Sequence, residues 1–210
     1  MNEPAPVVFV VDDDASIRDG LRRLFSSVGL TVQSFPDAEA FLAGRHPDAP
    51  GCIVLDVRLP DSSGLELQAA LVQRGEPLPI LFLSGFGDIP MSVRAMKAGA
   101  VEFLTKPCPP ETLVAAVRQA IENDRLARVE RHELAALRQR YESLTARERG
   151  VLAGVVAGLR NKEIAGAFGT REFTVKEQRA QMLTKMQVAS VAELVRIATR
   201  LALPPFTGGG

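Results

Sequence analysis

The sequence has 210 residues, a length that allows one large domain or two small ones. Hydrophobic residues make up 46% of it and aromatic residues only 5%, so its cores must be mainly aliphatic. We find no apolar run near the ~20 residues of a membrane span, no secretory pattern in the first residues, and two isolated cysteines, Cys52 and Cys108, each read as a buried free thiol. These features argue against a membrane protein or a disulfide framework and predict a cytoplasmic protein.

The net charge of zero conceals an uneven distribution along the chain. Residues 1–125 carry 17 acidic and 11 basic side chains, whereas residues 126–210 carry 8 acidic and 14 basic ones. An acidic part joined to a basic part predicts two tasks, and the basic part could contact phosphates. Ordinary solvated surface is the alternative interpretation of the same charges.

Apolar strand-like segments alternate with amphipathic helix-like segments in the first 124 residues. The predicted strands are Val7–Asp12, Thr31–Phe35, Cys52–Val57, Ile80–Ser84 and Val101–Lys106. The predicted helices are Ala15–Val28, a short one from about Asp37, Gly64–Arg74, Pro90–Ala98 and Pro110–Asn123. Near-continuous apolar strands separated by helices predict an α/β domain of five βα units with a doubly wound parallel sheet.

A polar segment without glycine or proline, residues 125–142, follows this domain and is predicted to be a helical linker. Apolar side chains recur along it and just beyond it at 3-4-3 spacing, at Leu134, Leu137, Tyr141 and Leu144. This stripe is compatible either with a short coiled-coil seam between two chains or with packing against a domain of the same chain.

Residues 143–210 are predicted to form a small all-α domain of about four helices. Thr145–Glu148 and Ser190–Glu193 match the capping box that starts a helix, and each precedes an apolar periodic run. The other predicted helices are Lys162–Phe168, a longer one over Glu172–Met186 and a last one over Val191–Leu203.

Reactive side chains stand at the carboxyl ends of the predicted strands, namely Asp12, Asp13, Asp56, Ser84 and Lys106. Ligand sites of open parallel sheets lie at these ends, so the side chains are expected to meet. Clustered carboxylates repel one another and favour a hard divalent cation such as Mg²⁺. A carboxylate can also accept a phosphoryl group, which a lysine and a hydroxyl can then hold. Any one of these residues alone would be read as a helix cap or a surface charge.

The first domain resembles the receiver domain of two-component response regulators. The resemblance rests on Val10-Val-Asp-Asp-Asp14, Leu55-Asp-Val-Arg-Leu-Pro-Asp61 with Ser63-Gly64, Leu83-Ser-Gly85, Met96-Lys-Ala-Gly-Ala100 and Phe103-Leu-Thr-Lys-Pro107. It implies Asp56 as the phosphoacceptor, and Asp12, Asp13, Asp56 and the backbone carbonyl of Arg58 as the Mg²⁺ ligands.

The same resemblance gives further residues a role. It implies that Ser84 senses the phosphoryl group, that Lys106 pairs with it through a cis Lys106–Pro107 peptide bond, and that Phe103 is the switch aromatic. A core phenylalanine on a strand is the alternative interpretation of Phe103. Asp14 is assigned to the cap of the first helix.

Basic side chains, Lys176, Arg179 and Lys185, lie on the longer helix of the second domain, and Arg160, Lys162 and Arg171 precede it. Leu144-Thr-Ala-Arg-Glu-Arg149, Gly158-Leu-Arg-Asn-Lys-Glu-Ile-Ala165 and Thr174-Val-Lys176 resemble the LuxR-type helix-turn-helix of the NarL/FixJ class. The resemblance implies that Glu172–Met186 is a recognition helix, that Lys162, Lys176, Glu177 and Arg179 approach DNA, and that the last helix can form a dimer face.

The sequence departs from that class at two points. An apolar residue and a histidine usually follow Thr-Val-Lys, but Glu177 and Gln178 stand there. Arg171 replaces the usual serine before the helix, so we expect Thr170 to cap it. Glu177 is compatible with a pose in the DNA groove or with an outward pose.

We therefore expect a transcriptional regulator, not an enzyme, with a receiver domain at 1–124, a linker at 125–142 and a DNA-binding domain at 143–210. Its expected partners are a sensor histidine kinase, double-stranded DNA and a second copy of the chain when phosphorylated. The rival interpretations are a small phosphatase that uses the same aspartyl chemistry and a regulator that acts through protein–protein interaction. Multiple turnover on a phosphoester would favour the former, and absence of specific DNA binding the latter.

Overall fold

A computed structural model describes residues 4–44, 48–60, 62–76, 78–85 and 89–207 of the chain. The described residues do not include Met1–Glu3, with which the first predicted domain begins, or Gly208–Gly210, with which the second ends. They also do not include Asp61, the last residue of the motif after the third strand. The chain divides into two compact units, Met1–Arg128 and Val129–Gly210. Since these are structural units, the functional boundaries at 124/125 and 142/143 stay predictions.

The first unit contains a five-stranded parallel sheet in the order β2-β1-β3-β4-β5. Its strands are β1 (Val7–Val11), β2 (Thr31–Phe35), β3 (Gly51–Leu55), β4 (Ile80–Ser84) and β5 (Glu102–Thr105). The three inner strands are buried along their whole length, which is why they appear in the sequence as continuous apolar runs. The predicted α/β fold is confirmed.

Helices cover both faces of this sheet. They are α1 (Ala15–Ser27), α2 (Ala38–Ala43), α3 (Gly64–Arg74), α4 (Ile89–Lys97) and α5 (Pro110–Glu142). Because side chains alternate along a strand, Phe9 and Ile53 enter the core under α2 to α4, whereas Val10 and Val54 enter the core under α1 and α5. Cys52 lies in the second of these cores, where burial raises the pKa of its thiol to about 12. Cys108 is partly exposed, contrary to the expectation that both thiols are buried.

The second unit is all helical, as predicted. It contains the last part of α5 and four further helices, α6 (Ala146–Val156), α7 (Asn161–Ala167), α8 (Glu172–Met186) and α9 (Val191–Arg200). Half-buried Leu134, Leu137 and Tyr141 of α5 pack against the core of this unit. The 3-4-3 stripe therefore covers a domain of its own chain, which is one of the two interpretations left open by the sequence.

Two further features differ from the sequence-based expectations. The fifth helix and the linker form one uninterrupted helix, because no glycine or proline breaks the pattern between Pro110 and Glu142. Thr170 does not cap α8; the cap position is Arg171, and its side chain makes no capping hydrogen bond. The backbone N–H of Thr170 instead donates to the Ala165 carbonyl at 3.0 Å, so Thr170 belongs to the turn that ends α7.

None of the helices in the described ranges is long and apolar enough to cross a membrane.

Candidate functional site

The site at the carboxyl edge of the sheet follows from the strand order. Strands β1 and β3 are neighbours, with Val11 paired to Leu55, so the residues that follow them, Asp12 and Asp56, emerge side by side. The order of the strands reverses between these two, which is where ligand sites of such sheets form. Strands β4 and β5 end beside them with Ser84 paired to Thr105, and Lys106 comes next.

Three carboxylates meet at this edge. Asp12, Asp13 and Asp56 each place one carboxylate oxygen so that all three oxygens lie within 4.8 Å of one another. Asp12 is only 3% exposed, Asp56 is half-buried and Asp13 faces solvent. Burial raises the pKa of Asp12 above its ordinary value, against the opposing effect of its hydrogen bond with Lys106. Three carboxylate oxygens this close together could hold a small divalent cation, with water completing its coordination.

The ammonium group of Lys106 bridges two of these carboxylates. Its Nζ atom donates to Oδ2 of Asp12 at 2.6 Å and to Oδ2 of Asp56 at 2.7 Å. Burial disfavours the charged lysine, but the two carboxylates together outweigh that effect and raise the pKa of Lys106. The lysine therefore lies directly beside the predicted phosphoacceptor. The Lys106–Pro107 peptide bond is cis, as expected.

The loop after β1 is fixed by its own polar groups. Oδ1 of Asp12 accepts from the N–H of Asp14 at 2.9 Å, and Oδ1 of Asp14 accepts from the N–H of Ser16 at 2.7 Å. Asp14 is therefore the cap of α1, as predicted. Arg18 donates to the carbonyl oxygens of Asp12 and Asp13 at 2.6 and 2.8 Å, which orients both residues. Arg18 belongs to none of the motifs found in the sequence. Its position six residues after Asp12, on the first helix, is the one feature that could have indicated this contact.

The loop after β3 holds Asp56 from the other side. The N–H of Asp56 donates to the Val11 carbonyl at 2.9 Å, and the N–H of Arg58 donates to Oδ1 of Asp56 at 3.0 Å. Gly64 packs so closely behind this loop that an added Cβ would lie 2.3 Å from the carbonyl oxygen of Asp56 and 3.0 Å from the ring of Phe82. Only glycine allows this approach, so the Ser63-Gly64 pair of the motif has a steric cause.

The predicted switch residues lie on the two strands beside this pocket. Ser84 is 1% exposed at the end of β4, and its carbonyl accepts from the N–H of Lys106 at 2.9 Å. Phe103 is half-buried on β5, and its ring centroid lies 5.9 Å from that of Phe82. The structure thus brings six predicted receiver residues to the carboxyl edge of the sheet: Asp12, Asp13, Asp56, Arg58, Ser84 and Lys106. Phe103 lies further back on β5, where it pairs with Phe82 of β4.

The second candidate site is the outer face of α7 and α8. Along α8 the buried side chains are Val175, Met182 and Met186, and they form one stripe. Lys176 and Glu177 are exposed, and Lys162 is exposed in the first turn of α7. Glu177 therefore takes an outward-facing position on the surface of α8, where it is free to meet a groove or to remain in solvent.

Arg179 has a different environment from the other predicted DNA contacts. It is half-buried on the side of α8 that faces α7, and its Nη1 atom donates to Oδ1 of Asn161 at 3.1 Å. This hydrogen bond ties the two helices together. The neighbouring Gln178 is also half-buried, and its Oε1 atom has no hydrogen-bond partner among the described residues.

Lys185 has a structural contact that the sequence did not indicate. Its Nζ atom donates at 2.7 Å to Oε2 of Glu148, which is 2% exposed and also accepts from the N–H of Thr145 at 2.7 Å. The predicted capping box at Thr145 is confirmed and is extended by this lysine. The hydrogen bond from Lys185 lowers the pKa of Glu148 below its ordinary value.

Comparisons with known proteins identify both units. The family model of the response regulator receiver domain matches residues 8–118. The family model of bacterial regulatory proteins of the luxR family matches residues 142–198. Nodulation protein W of Bradyrhizobium diazoefficiens is 45% identical over 94% of this chain and 87% of its own length. Transcriptional regulatory protein FixJ of the same organism is 41% identical over 93% of this chain and 96% of its own. The solved structure of the response regulator StyR is 46% identical, with a TM-score of 0.85 over 94% of this chain and 100% of that one.

Proposed function

Because the chain belongs to the response regulator family and joins a receiver domain to a LuxR-family domain, we propose that phosphorylation of Asp56 controls its binding to DNA. The observation that carries the proposal is the pocket in which Asp56 lies beside two further carboxylates and hydrogen bonds to Lys106 at 2.7 Å. A phosphoryl group on Asp56 would therefore lie beside the ammonium group of Lys106. The donor is a sensor histidine kinase, and the output is transcription rather than turnover of a substrate.

The acidic cluster fits Mg²⁺. Its ligands would be the carboxylates of Asp12, Asp13 and Asp56 together with the backbone carbonyl of Arg58. When bound there, the ion would offset negative charge on an incoming phosphoryl group. Asp13, which is exposed, gives the ion access from solvent, while Arg18 holds the Asp12 and Asp13 backbone in place.

The remaining pocket residues convert the phosphoryl charge into a change of shape. The ammonium of Lys106 can pair with phosphoryl oxygens because the phosphoryl group adds negative charge where the lysine already lies. The hydroxyl of Ser84 closes on the same group, and Phe103 moves in response on the adjacent strand. The added charge thus shifts the receiver domain between two conformations and does not itself contact DNA.

The output is binding of duplex DNA by α8. Lys162 and Lys176 are exposed cations that can neutralise backbone phosphates, and Glu177 lies where a recognition helix contacts base edges. Arg179 supports the interface by fixing α7 to α8 through Asn161. The active form is a two-fold homodimer that binds two half-sites about one helical turn, or a multiple, apart. Light scattering should then show a doubling of mass on phosphorylation, and an unchanged mass would contradict the dimer.

Two single variants test the proposal. Gel shifts of the full chain against genomic fragments should show tighter binding after treatment with acetyl phosphate and Mg²⁺. Asp13→Ala should weaken Mg²⁺ binding and remove that enhancement, because one ligand is lost, while the fold remains intact since the side chain is exposed. Lys176→Ala should weaken binding to every duplex and flatten its salt dependence. A chain that binds no fragment under any of these conditions would contradict the DNA output and favour a protein partner.

A further inference from the structure

A largely exposed phenylalanine lies on the first turn of α8. Phe173 is 68% exposed, although burying an aromatic ring is among the most favourable contributions to a fold. Its neighbours Arg171 and Glu172 are exposed as well, and Thr174 is half-buried. Folding of the described residues therefore gains little from an aromatic side chain at this position.

Phe173 lies on the face of α8 that points away from the core. At 100° per residue, its direction is opposite to that of the buried stripe of Val175, Met182 and Met186. Lys176 and Glu177 follow it at spacings of three and four, so the three side chains are neighbours on one surface. Both of these neighbours are exposed.

The surroundings of the ring are charged, with more basic than acidic side chains. On α7, α8 and the turns before them, exposed Arg160, Lys162, Arg171, Lys176 and Lys185 outnumber exposed Glu163, Glu172 and Glu177. A single aromatic ring among such side chains does not resemble the extended apolar patch of a protein-binding surface. The positive charge complements a nucleic acid, so duplex DNA is the occupant that the chemistry favours.

The first turn of a recognition helix is the part that reaches the base edges in the major groove. The C5-methyl group of thymine is an apolar feature in that groove, and phenylalanine is one of the side chains that contact it. We propose that Phe173 determines sequence preference by packing on a thymine methyl group. This inference rests on the proposed DNA-binding function and adds to it a specific base and a specific atom.

The test removes the methyl group from the DNA and the ring from the protein. The full chain, treated with acetyl phosphate and Mg²⁺, selects bound duplexes from a random-sequence library. Each thymine of a selected duplex is then replaced in turn by deoxyuracil, which lacks only the methyl group. Binding is measured for the parent, for Phe173→Ala, for Phe173→Leu, which keeps an apolar side chain, and for Val72→Ala as a matched control. Val72 is 66% exposed but lies on α3 of the other unit.

We expect the parent to bind about fourfold more weakly when one particular thymine is replaced, the factor expected for the loss of one buried methyl group. Val72→Ala should keep this sensitivity, Phe173→Leu should keep part of it, and Phe173→Ala should bind the thymine and uracil duplexes equally. The inference is overturned if the parent is insensitive to every replacement, or if Phe173→Ala keeps the parent's pattern. A parent that enriches no sequence contradicts both the proposed function and this inference, whereas a selective but methyl-insensitive parent contradicts only the inference.

Discussion

The Nζ atom of Lys106 lies 2.7 Å from Oδ2 of Asp56, although the two residues are 50 positions apart in the chain. The parallel order of β3, β4 and β5 brings them together, because each follows the carboxyl end of its strand. A positive charge thus stands beside the proposed phosphoacceptor before any phosphoryl group arrives. The same charge offsets the repulsion between the carboxylates of Asp12 and Asp56.

Lys106→Met should destabilise the receiver unit. The change leaves Asp12 and Asp56 without their shared cation, so we expect the free energy of unfolding at pH 7 to fall by about 1–3 kcal/mol. Mg²⁺ should stabilise this variant more than the parent, since the ion replaces the missing positive charge. Urea unfolding followed by circular dichroism measures both effects. Lys97→Met is the matched control, because Lys97 is exposed. Equal stability of parent and Lys106→Met, with and without Mg²⁺, would contradict the role given to Lys106.

Gly64→Ala should disturb the loop that carries Asp56. The new methyl group would lie 2.3 Å from the Asp56 carbonyl oxygen, so the loop must shift, at a cost of about 1–3 kcal/mol in unfolding free energy. Phosphorylation at Asp56 should slow as well, because the acceptor moves relative to Lys106. Gly20→Ala is the control: a Cβ there meets nothing within 4 Å, and alanine in a helix should stabilise α1 slightly. A Gly64→Ala chain as stable and as readily phosphorylated as the parent would refute the steric argument.

Much of this architecture could be predicted from local patterns. Four helices or strands, β2, α3, β4 and α8, have the predicted bounds. Apolar runs mark the two strands, and a capping serine marks the start of α3. The cluster of Asp12, Asp13 and Asp56 was also predictable, since a parallel sheet brings strand ends together.

The contacts that the sequence did not predict are those between residues with no shared motif. Arg18 donates hydrogen bonds to two backbone carbonyl groups, and Arg179 donates one to Asn161. Lys185 donates one to Glu148, which is 37 positions away in the chain. Each depends on how helices pack in three dimensions, which periodicity does not specify. The expected cap at Thr170 was wrong for a related reason: the turn that ends α7 uses its backbone N–H, and α8 begins after Arg171.

Lys185→Met should weaken the second unit in a pH-dependent way. The pKa of Glu148 is lowered in the fold, so its stabilising contribution is present above the ordinary pKa of a glutamate, about 4.3, and is lost as the pH falls through the lower folded value. The variant should therefore lose about 1–3 kcal/mol in unfolding free energy at pH 7 and less at pH 3.

The chain's single tyrosine, Tyr141, packs against the core of this unit, so tyrosine fluorescence reports its unfolding. Lys162→Met, at an exposed position on α7, should leave the stability of the unit unchanged. A deficit in Lys185→Met that is the same at both pH values would show that Lys185 acts without Glu148.

Glu177→Val should reveal what the carboxylate does on the proposed recognition helix. If it repels phosphates, the variant binds every duplex more tightly. If it accepts a hydrogen bond from a cytosine amino group, the variant loses about 1–3 kcal/mol of preference at one base pair and keeps its non-specific binding. Gel shifts with the selected duplex and its single-base variants distinguish these results. Unchanged affinity and unchanged preference would show that Glu177 stays in solvent and has no part in recognition.

Transfer of a phosphoryl group to Asp56 is the central claim, and intact mass spectrometry tests it most directly. After incubation with acetyl phosphate and Mg²⁺, the parent should gain the mass of one phosphoryl group, and its affinity for DNA should rise. Asp56→Asn should gain none and keep the affinity of the untreated parent, because an amide is a poor acceptor. An Asp56→Asn chain that gains the same mass and the same DNA affinity as the parent would contradict the account.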